Sequence, residues 1–281
     1  MIASGLGPPP LREVSVWGLP VAAVTRAQAV DHVAALAAGG RPSYVITASS
    51  HYAMLSHEVP ALAEVNRRAA FIVADGFPLV AASRLLGTPL PERVAGSDLI
   101  FDLCERSARD GLRVFLLGAA PGVAAEAARR LLARYPGLVV AGTECPPFRE
   151  PTAQEHQALL ARLRAARPDI LFVAFGQPKG ELWVFENYES LGVPVCVQIG
   201  ASLDFAAGRV PRAPRALQRA GLEWAFRMAL EPRRLVPRYA RNAVFLFGRF
   251  SRDLVGVALG RRGGGRPPGT GQGGGGSAER L

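Results

Sequence analysis

One acid and one arginine stand out by where they fall in the chain. Asp75-Gly76 closes the apolar run Phe71-Ile72-Val73-Ala74, which reads as a short buried strand. Open α/β sheets place their chemistry at such carboxyl-terminal strand edges. Arg93 follows eighteen positions later, beyond the Pro-rich loop Thr88-Pro89-Leu90-Pro91, and Gly96-Ser97-Asp98 then starts a helix. A carboxylate and a guanidinium are thereby held on loops that can converge over one crevice. The same acids also suit plainer duties, Asp75 in a turn and Asp98 at a helix N-terminus. A second candidate is Gly118-Ala-Ala-Pro121-Gly122, between a strand and a helix. It offers backbone N–H groups to a phosphate, although a tight strand–helix turn with no ligand is the plainer reading. It is neither G-x-G-x-x-G nor a Walker A loop. His32, His51, His57 and His156 are scattered and no D-x-D occurs, so neither a metal nor another cofactor is expected. Ser49-Ser50-His51 stand too close together for a hydrolase triad, and G-x-S-x-G is absent.

The elements that must position these residues alternate. Short strands are predicted over Val14–Trp17 and Val21–Val24, and a capping box at Thr25 and Gln28 opens a helix over Ala27–Ala38. Tyr44-Val45-Ile46 delivers Thr47 and Ser49 to its end, with helical sequence from there to Arg68, interrupted at Pro60. After the Phe71 strand come helices over Leu79–Leu86 and Ser97–Arg109, then a strand over Leu112–Leu117 and an Ala-rich helix over Val123–Tyr135. Strands at Leu138–Ala141, Ile170–Phe175 and Val193–Ile199 alternate with helices running from Thr152 to about Ala166 and over 181–191. Such alternation means βαβ units in a Rossmann-like, mostly parallel α/β sheet with flanking helices, and puts every candidate strand end on one edge.

Charge divides the chain. Its 281 residues carry a net +10, and residues 212–281, with 14 Arg against four acids, account for all of it. A neutral body with a basic end points to an anionic surface or polymer as partner. The expected organisation is a core over 1–210, a basic helical appendage over 211–259 and a disordered Gly-rich tail over 260–281. Asn242–Leu259 places Ala243, Phe247, Phe250, Leu254 and Val257 on one stripe, suited to a membrane interface or to packing on the core. No run of eighteen apolar residues occurs, no signal peptide is read at the N-terminus, and Cys104, Cys145 and Cys196 fit free thiols in a reducing cytoplasm.

Six motifs then occur in order. They are Thr47-Ala-Ser49, Ala74-Asp75-Gly76, Arg93-Val-Ala-Gly96-Ser-Asp98-Leu99, Phe115-Leu-Leu-Gly118…Pro121-Gly122, Gly176-Gln177-Pro178-Lys179…Glu181…Trp183, and Gly200…Asp204…Gly208…Arg212-Ala-Pro214…Gly221-Leu-Glu223-Trp224…Glu231-Pro232…Arg238-Tyr239. Over about Val14 to Phe250 the chain resembles the WecG/TagA/CpsF family of bacterial glycosyltransferases. The resemblance implies inverting, metal-independent transfer from a UDP-sugar to a polyprenyl-diphosphate-linked glycan. It implies Asp75 as general base and Arg93 as the group that neutralises departing UDP. Thr47 and Ser49 would touch sugar or acceptor, and the Gly118-Pro121-Gly122 loop with Gln177, Lys179 and Glu181 would hold the nucleotide. Gly76, Gly96, Asp98 and Asp204 fall in the same substrate-binding set. Arg212, Arg215 and Arg219 would fold over the site to grip a diphosphate. Residues 212–259 would meet an anionic membrane surface, not nucleic acid, which makes the protein cytoplasmic and peripheral on the inner face of the plasma membrane. A homo-oligomer stays open.

Two positions depart from the family pattern, Ser49 where it has Asn and Gly180 where it has Gln. They leave the donor open among N-acetylmannosamine, its uronic acid and glucose. A Rossmann-type oxidoreductase is the rival enzyme, but it lacks the glycine fingerprint and a Tyr-x-x-x-Lys. A silent membrane-binding protein would have no use for both Asp75 and Arg93.

Overall fold

The computed structural model describes residues 8–147, 149–214, 216–217 and 223–259. Arg215, Arg219 and the Gly-rich tail lie outside the described residues. The chain starts with a hairpin, β1 (Glu13–Val16) and β2 (Leu19–Ala22), turning on Trp17 and Gly18, both at positive φ. Two left-handed residues give the turn a twist that matches the strands, and glycine takes the second place without strain. Then follow α1 (Arg26–Gly39), β3 (Ser43–Ala48), α2 (Ser50–Glu58), α3 (Leu62–Arg68), β4 (Phe71–Ala74), α4 (Phe77–Leu85), α5 (Gly96–Asp110), β5 (Arg113–Gly118), α6 (Val123–Arg134), β6 (Val139–Glu144), α7 (Ala153–Ala166), β7 (Ile170–Ala174), α8 (Lys179–Leu191), β8 (Val195–Gln198) and α9 (Ser202–Ala206). Two last helices are α10 (Glu223–Leu230) and α11 (Pro232–Ala258). The capping box at Thr25 and Gln28 forms as the sequence predicts, and a second, at Thr152 and Glu155, opens α7.

The strands make one sheet in the order β1-β2-β4-β3-β8-β7-β5-β6, parallel except for the hairpin. β4, β7 and β8 are buried at every residue, because helices cover both faces. One layer packs around Tyr44, Tyr52, Leu79 and Tyr188, and the other around Phe71, Leu99, Leu103 and Phe172. Each such side chain contributes roughly 1.5–3 kcal/mol on burial. The chain leaves β3 for β4 on one side, while β8 bonds β3 on the other, so the crevice opens at the carboxyl ends of these strands.

The C-terminal helix corrects one expectation. Pro232 opens α11 just after α10 ends at Leu230, and Pro237 is accommodated inside α11. Proline suits a first helical turn, where its missing N–H has no partner anyway. The face packed on the core carries Leu235, Asn242, Phe245, Leu246 and Phe250, whereas Phe247 and Leu254 of the predicted stripe point outward beside Val244 and Val255. α11 lies against α2 and α4, and the Trp17 indole donates to Asp253 Oδ2 at 2.8 Å.

Candidate active site

The crevice is built by close backbone approaches. Asp75 N–H donates to Ala48 O at 2.9 Å, and Val94 N–H donates to Ala74 O at 2.9 Å, which stitches the Pro-rich loop back onto β4. A Cβ added to Gly76 would stand 3.1 Å from Ser50 N, and one added to Gly96 would stand 3.1 Å from Thr47 Oγ1 and 3.2 Å from Ser202 Oγ. Those two glycines let the ends of β3 and β4 and the start of α5 meet. Buried Thr47 donates to Gln198 O at 2.9 Å, which fixes its hydroxyl direction. Burial, helped by the Glu223 carboxylate, pushes Asp75 up to about 6, against the pull of Arg93 and a hydrogen bond from the Gly96 backbone. A carboxyl group with that value is a base matched to near-neutral pH.

The arginines are gathered by acids. Arg93 Nη1 donates to Glu223 Oε2 at 3.2 Å, and its Nη2 is 3.9 Å from Asp98 Oδ2. Arg212 Nη2 donates to Asp98 Oδ1 at 2.8 Å and its Nη1 to Ser97 O at 3.1 Å, while its Nε is 3.7 Å from Glu223 Oε1. Arg26 reaches Asp98 at 3.7 Å and Asp102 at 2.6 Å. Arg227 stacks over Phe205, whose ring also faces Arg212. Asp98 therefore anchors three guanidinium groups beside the start of α5.

On the other flank of β3, Ser49 caps α2 by accepting from Tyr52 N–H at 3.2 Å and donates to Gln177 Oε1 at 2.9 Å. Gln177 Nε2 donates to Glu181 Oε1 at 3.0 Å. Glu181 is fully buried, and burial pushes it up to about 7. Lys179 is exposed at the start of α8. Gly180 lies under it: an added Cβ would fall 2.7 Å from Gln198 Nε2, so the Gln198 carboxamide occupies the space next to residue 180.

The loop of Gly118, Pro121 and Gly122 belongs to β5, four strand spacings from β4, or about 19 Å. It is thus apart from the Asp75 cluster. Gly118, at φ 107, passes so near β7 that a Cβ would meet Ala174 O at 2.8 Å. The loop ends in the uncapped N-terminus of α6, with Arg209 Nη2 donating to Pro121 O at 3.4 Å. Asp204 sits in α9, its carbonyl accepting from Arg209 and Val210 N–H. His51 turns to Asn242 Oδ1 at 3.0 Å. Among the described residues no three His, Cys, Asp or Glu side chains group as a metal site, and no helix is long and apolar enough to cross a membrane.

The family model described as "Glycosyl transferase WecG/TagA/CpsF family" matches residues 14–257. The chain belongs to the WecG/TagA/CpsF glycosyltransferase family. Among the relatives of this family member are two called N-acetylglucosaminyldiphosphoundecaprenol N-acetyl-beta-D-mannosaminyltransferase. The Bacillus spizizenii protein is 31% identical over 202 residues, 70% of this chain and 77% of its own. The Staphylococcus aureus protein (strain NCTC 8325) is 28% identical over 225 residues, 79% of this chain and 87% of its own.

In this WecG/TagA/CpsF member the structure adds groups that motif reading passed over. Glu223 stood in the Gly221-Leu-Glu223-Trp224 motif, yet nothing local ties it to a site 130 residues earlier. Gln198, in an apolar strand, carries a polar signal that Arg26, in a helix first turn, lacks.

Proposed function

We propose that the protein moves a sugar from a UDP-sugar to a glycan carried on a polyprenyl diphosphate, in the synthesis of a cell-surface polysaccharide. Asp75 carries this assignment: a carboxyl group pushed up to about 6 at the carboxyl edge of the sheet, beside Thr47, Gly96 and Arg93. It takes the proton of the acceptor hydroxyl as that oxygen attacks the anomeric carbon. The bond to the donor phosphate breaks with its electron pair leaving on UDP, and the sugar inverts. Arg93, with Arg212 behind it, takes up the charge of that diphosphate through charge-assisted hydrogen bonds. Thr47, Ser49 and Gln177 face the sugars, and the Gly118–Gly122 loop with Lys179 holds the nucleotide. The names of the two relatives make N-acetylmannosamine the first donor to test, and N-acetylglucosamine on undecaprenyl diphosphate the first acceptor.

The enzyme works as a peripheral protein on the inner face of the plasma membrane. Val244 and Phe247, 75% and 77% exposed, form an apolar ridge on α11 with Leu254 and Val255, and exposed Arg241 and Arg252 stand alongside. Apolar insertion beside basic residues is what holds a helix at an anionic interface. The deciding experiment incubates the purified chain with lipid-linked acceptor and a panel of UDP-sugars, with and without EDTA, and reads product by mass spectrometry. One UDP-sugar should yield product in both conditions. No UDP release with any pair would overturn the assignment, and loss on chelation restored by Mg²⁺ would overturn its metal-free form.

A further inference from the structure

The first turn of α8 holds a polar group that the transfer step does not use. Glu181 is fully buried, and Oε1 accepts from Gln177 Nε2 at 3.0 Å, while Oε2 has no hydrogen-bond partner among the described residues. A buried carboxyl group with an idle oxygen is costly, and more so when charged. Its position fixes a direction. A carboxyl Oε1 that accepts obliges Gln177 to turn its NH₂ toward α8 and its carbonyl toward Ser49, whose hydroxyl donates to it at 2.9 Å. The Ser49 proton is thereby committed, and because the oxygen also accepts from Tyr52 N–H, one lone pair is left for a sugar hydroxyl. The Ser49 Cα lies 3.6 Å from where a Gly76 Cβ would stand, so this chain of three side chains ends beside Asp75. Gln177 keeps one N–H beyond the bond to Glu181.

We propose that Glu181 is a positioning residue for sugar transfer, resting on the glycosyltransferase reading: it orients the Gln177 carboxamide, which fixes Ser49 and presents the remaining Gln177 N–H to a sugar oxygen of donor or acceptor. Burial favours the neutral acid, against the pull of the Gln177 amide and of the Arg238 charge. The amide orientation is thus set by a group that itself touches no substrate.

The test is a double-mutant cycle on kcat and KM, with thermal unfolding of every variant. Glu181→Leu and Gln177→Ala should each lower kcat/KM about tenfold, as for one lost hydrogen bond. The double variant should lose no more than either single one. Glu181→Gln, whose carbonyl can still accept from Gln177, should recover most of the loss. Glu181→Asp draws the acid back by one methylene and should fall with Glu181→Leu; it carries the test if the Leu variant does not fold. Losses that multiply, a Gln variant as poor as Leu, or an Asp variant equal to wild type would overturn the proposal alone. Wild-type protein that transfers no sugar would end the functional reading, and this proposal with it.

Discussion

Glu223 meets Arg93 at 3.2 Å, and so joins the C-terminal helices to the loop that follows β4. The pair is only 13% and 24% exposed, and Arg212 approaches the same carboxylate from the other side. An acid on α10 therefore occupies the two guanidinium groups that the proposed reaction assigns to the departing diphosphate. The diphosphate must compete with it. Glu223→Gln should tighten UDP binding roughly fivefold, the equivalent of about 1 kcal/mol for one partly exposed pair. Trp224 is the neighbouring residue and is 46% exposed, so its fluorescence should change on UDP addition in the wild type. Weaker UDP binding in the variant would instead make Glu223 a brace that holds Arg93 ready.

Asp75→Asn should keep the fold and UDP affinity and lose roughly 10²–10⁴-fold in transfer rate. On the proposed reading Asp75 must be ionised to act as base, so kcat/KM should rise with pH and level off above about 6. The raised value also has a stability sign. The folded state holds this proton more tightly than the unfolded chain, so the contribution is full below the ordinary carboxylate range and lost as pH rises through about 6. Asp75→Asn should thus be more stable than wild type at pH 8, by roughly 3 kcal/mol, with the gap closing toward pH 4. Calorimetry across that range checks the sign.

Gly180 and Gln198 share one space. Placing the glutamine usual for the family at position 180 drives its Cβ to 2.7 Å from Gln198 Nε2 and 3.2 Å from Phe175 O. Gly180→Gln should cost about 1–3 kcal/mol by overpacking. Adding Gln198→Ala should recover most of it, because the end of the displaced side chain is the obstacle. Chemical denaturation of the two single variants and the pair measures the coupling, and an additive result would mean the two do not share the space.

The outer ridge of α11 gives a prediction that separates two partners. Val244→Glu together with Phe247→Glu changes exposed side chains, so thermal stability should hold while flotation with anionic liposomes falls. Raised salt should weaken wild-type flotation as well, each basic residue near the surface contributing about 1 kcal/mol. Intact flotation with loss of a dimer would assign the ridge to a second copy.

The sheet was legible because buried parallel strands are short apolar runs, and Phe71–Ala74 and Ile170–Ala174 have no other reading at that length. Asp75, Thr47 and Ser49 could be placed for the same reason, since a strand end is a position along the chain. The face that α11 turns inward was not legible. The apolar residues of that helix spread over an arc wider than the face that packs, and periodicity does not say which part of the arc meets the core. The choice rests on contacts far apart in sequence, such as Asn242 under His51 and Asp253 under Trp17. Glu223 stayed out of the predicted site for a like reason, because only the tertiary fold brings α10 back to Arg93.

Trp17 packs edge-on against Phe245 and Phe250, at 5.7 and 5.3 Å, and its N–H is satisfied by a residue 236 positions further on. The order of synthesis therefore matters. The hairpin leaves the ribosome long before the surface that covers its indole, since Asp253 follows Trp17 by 236 positions. Until then the growing chain carries an uncovered aromatic ring, a handle for chaperones, and contacts of such long range slow the closing step. A chain ended early by a stop codon before α11 would never bury that ring, and the cell would meet it as an unfinished protein.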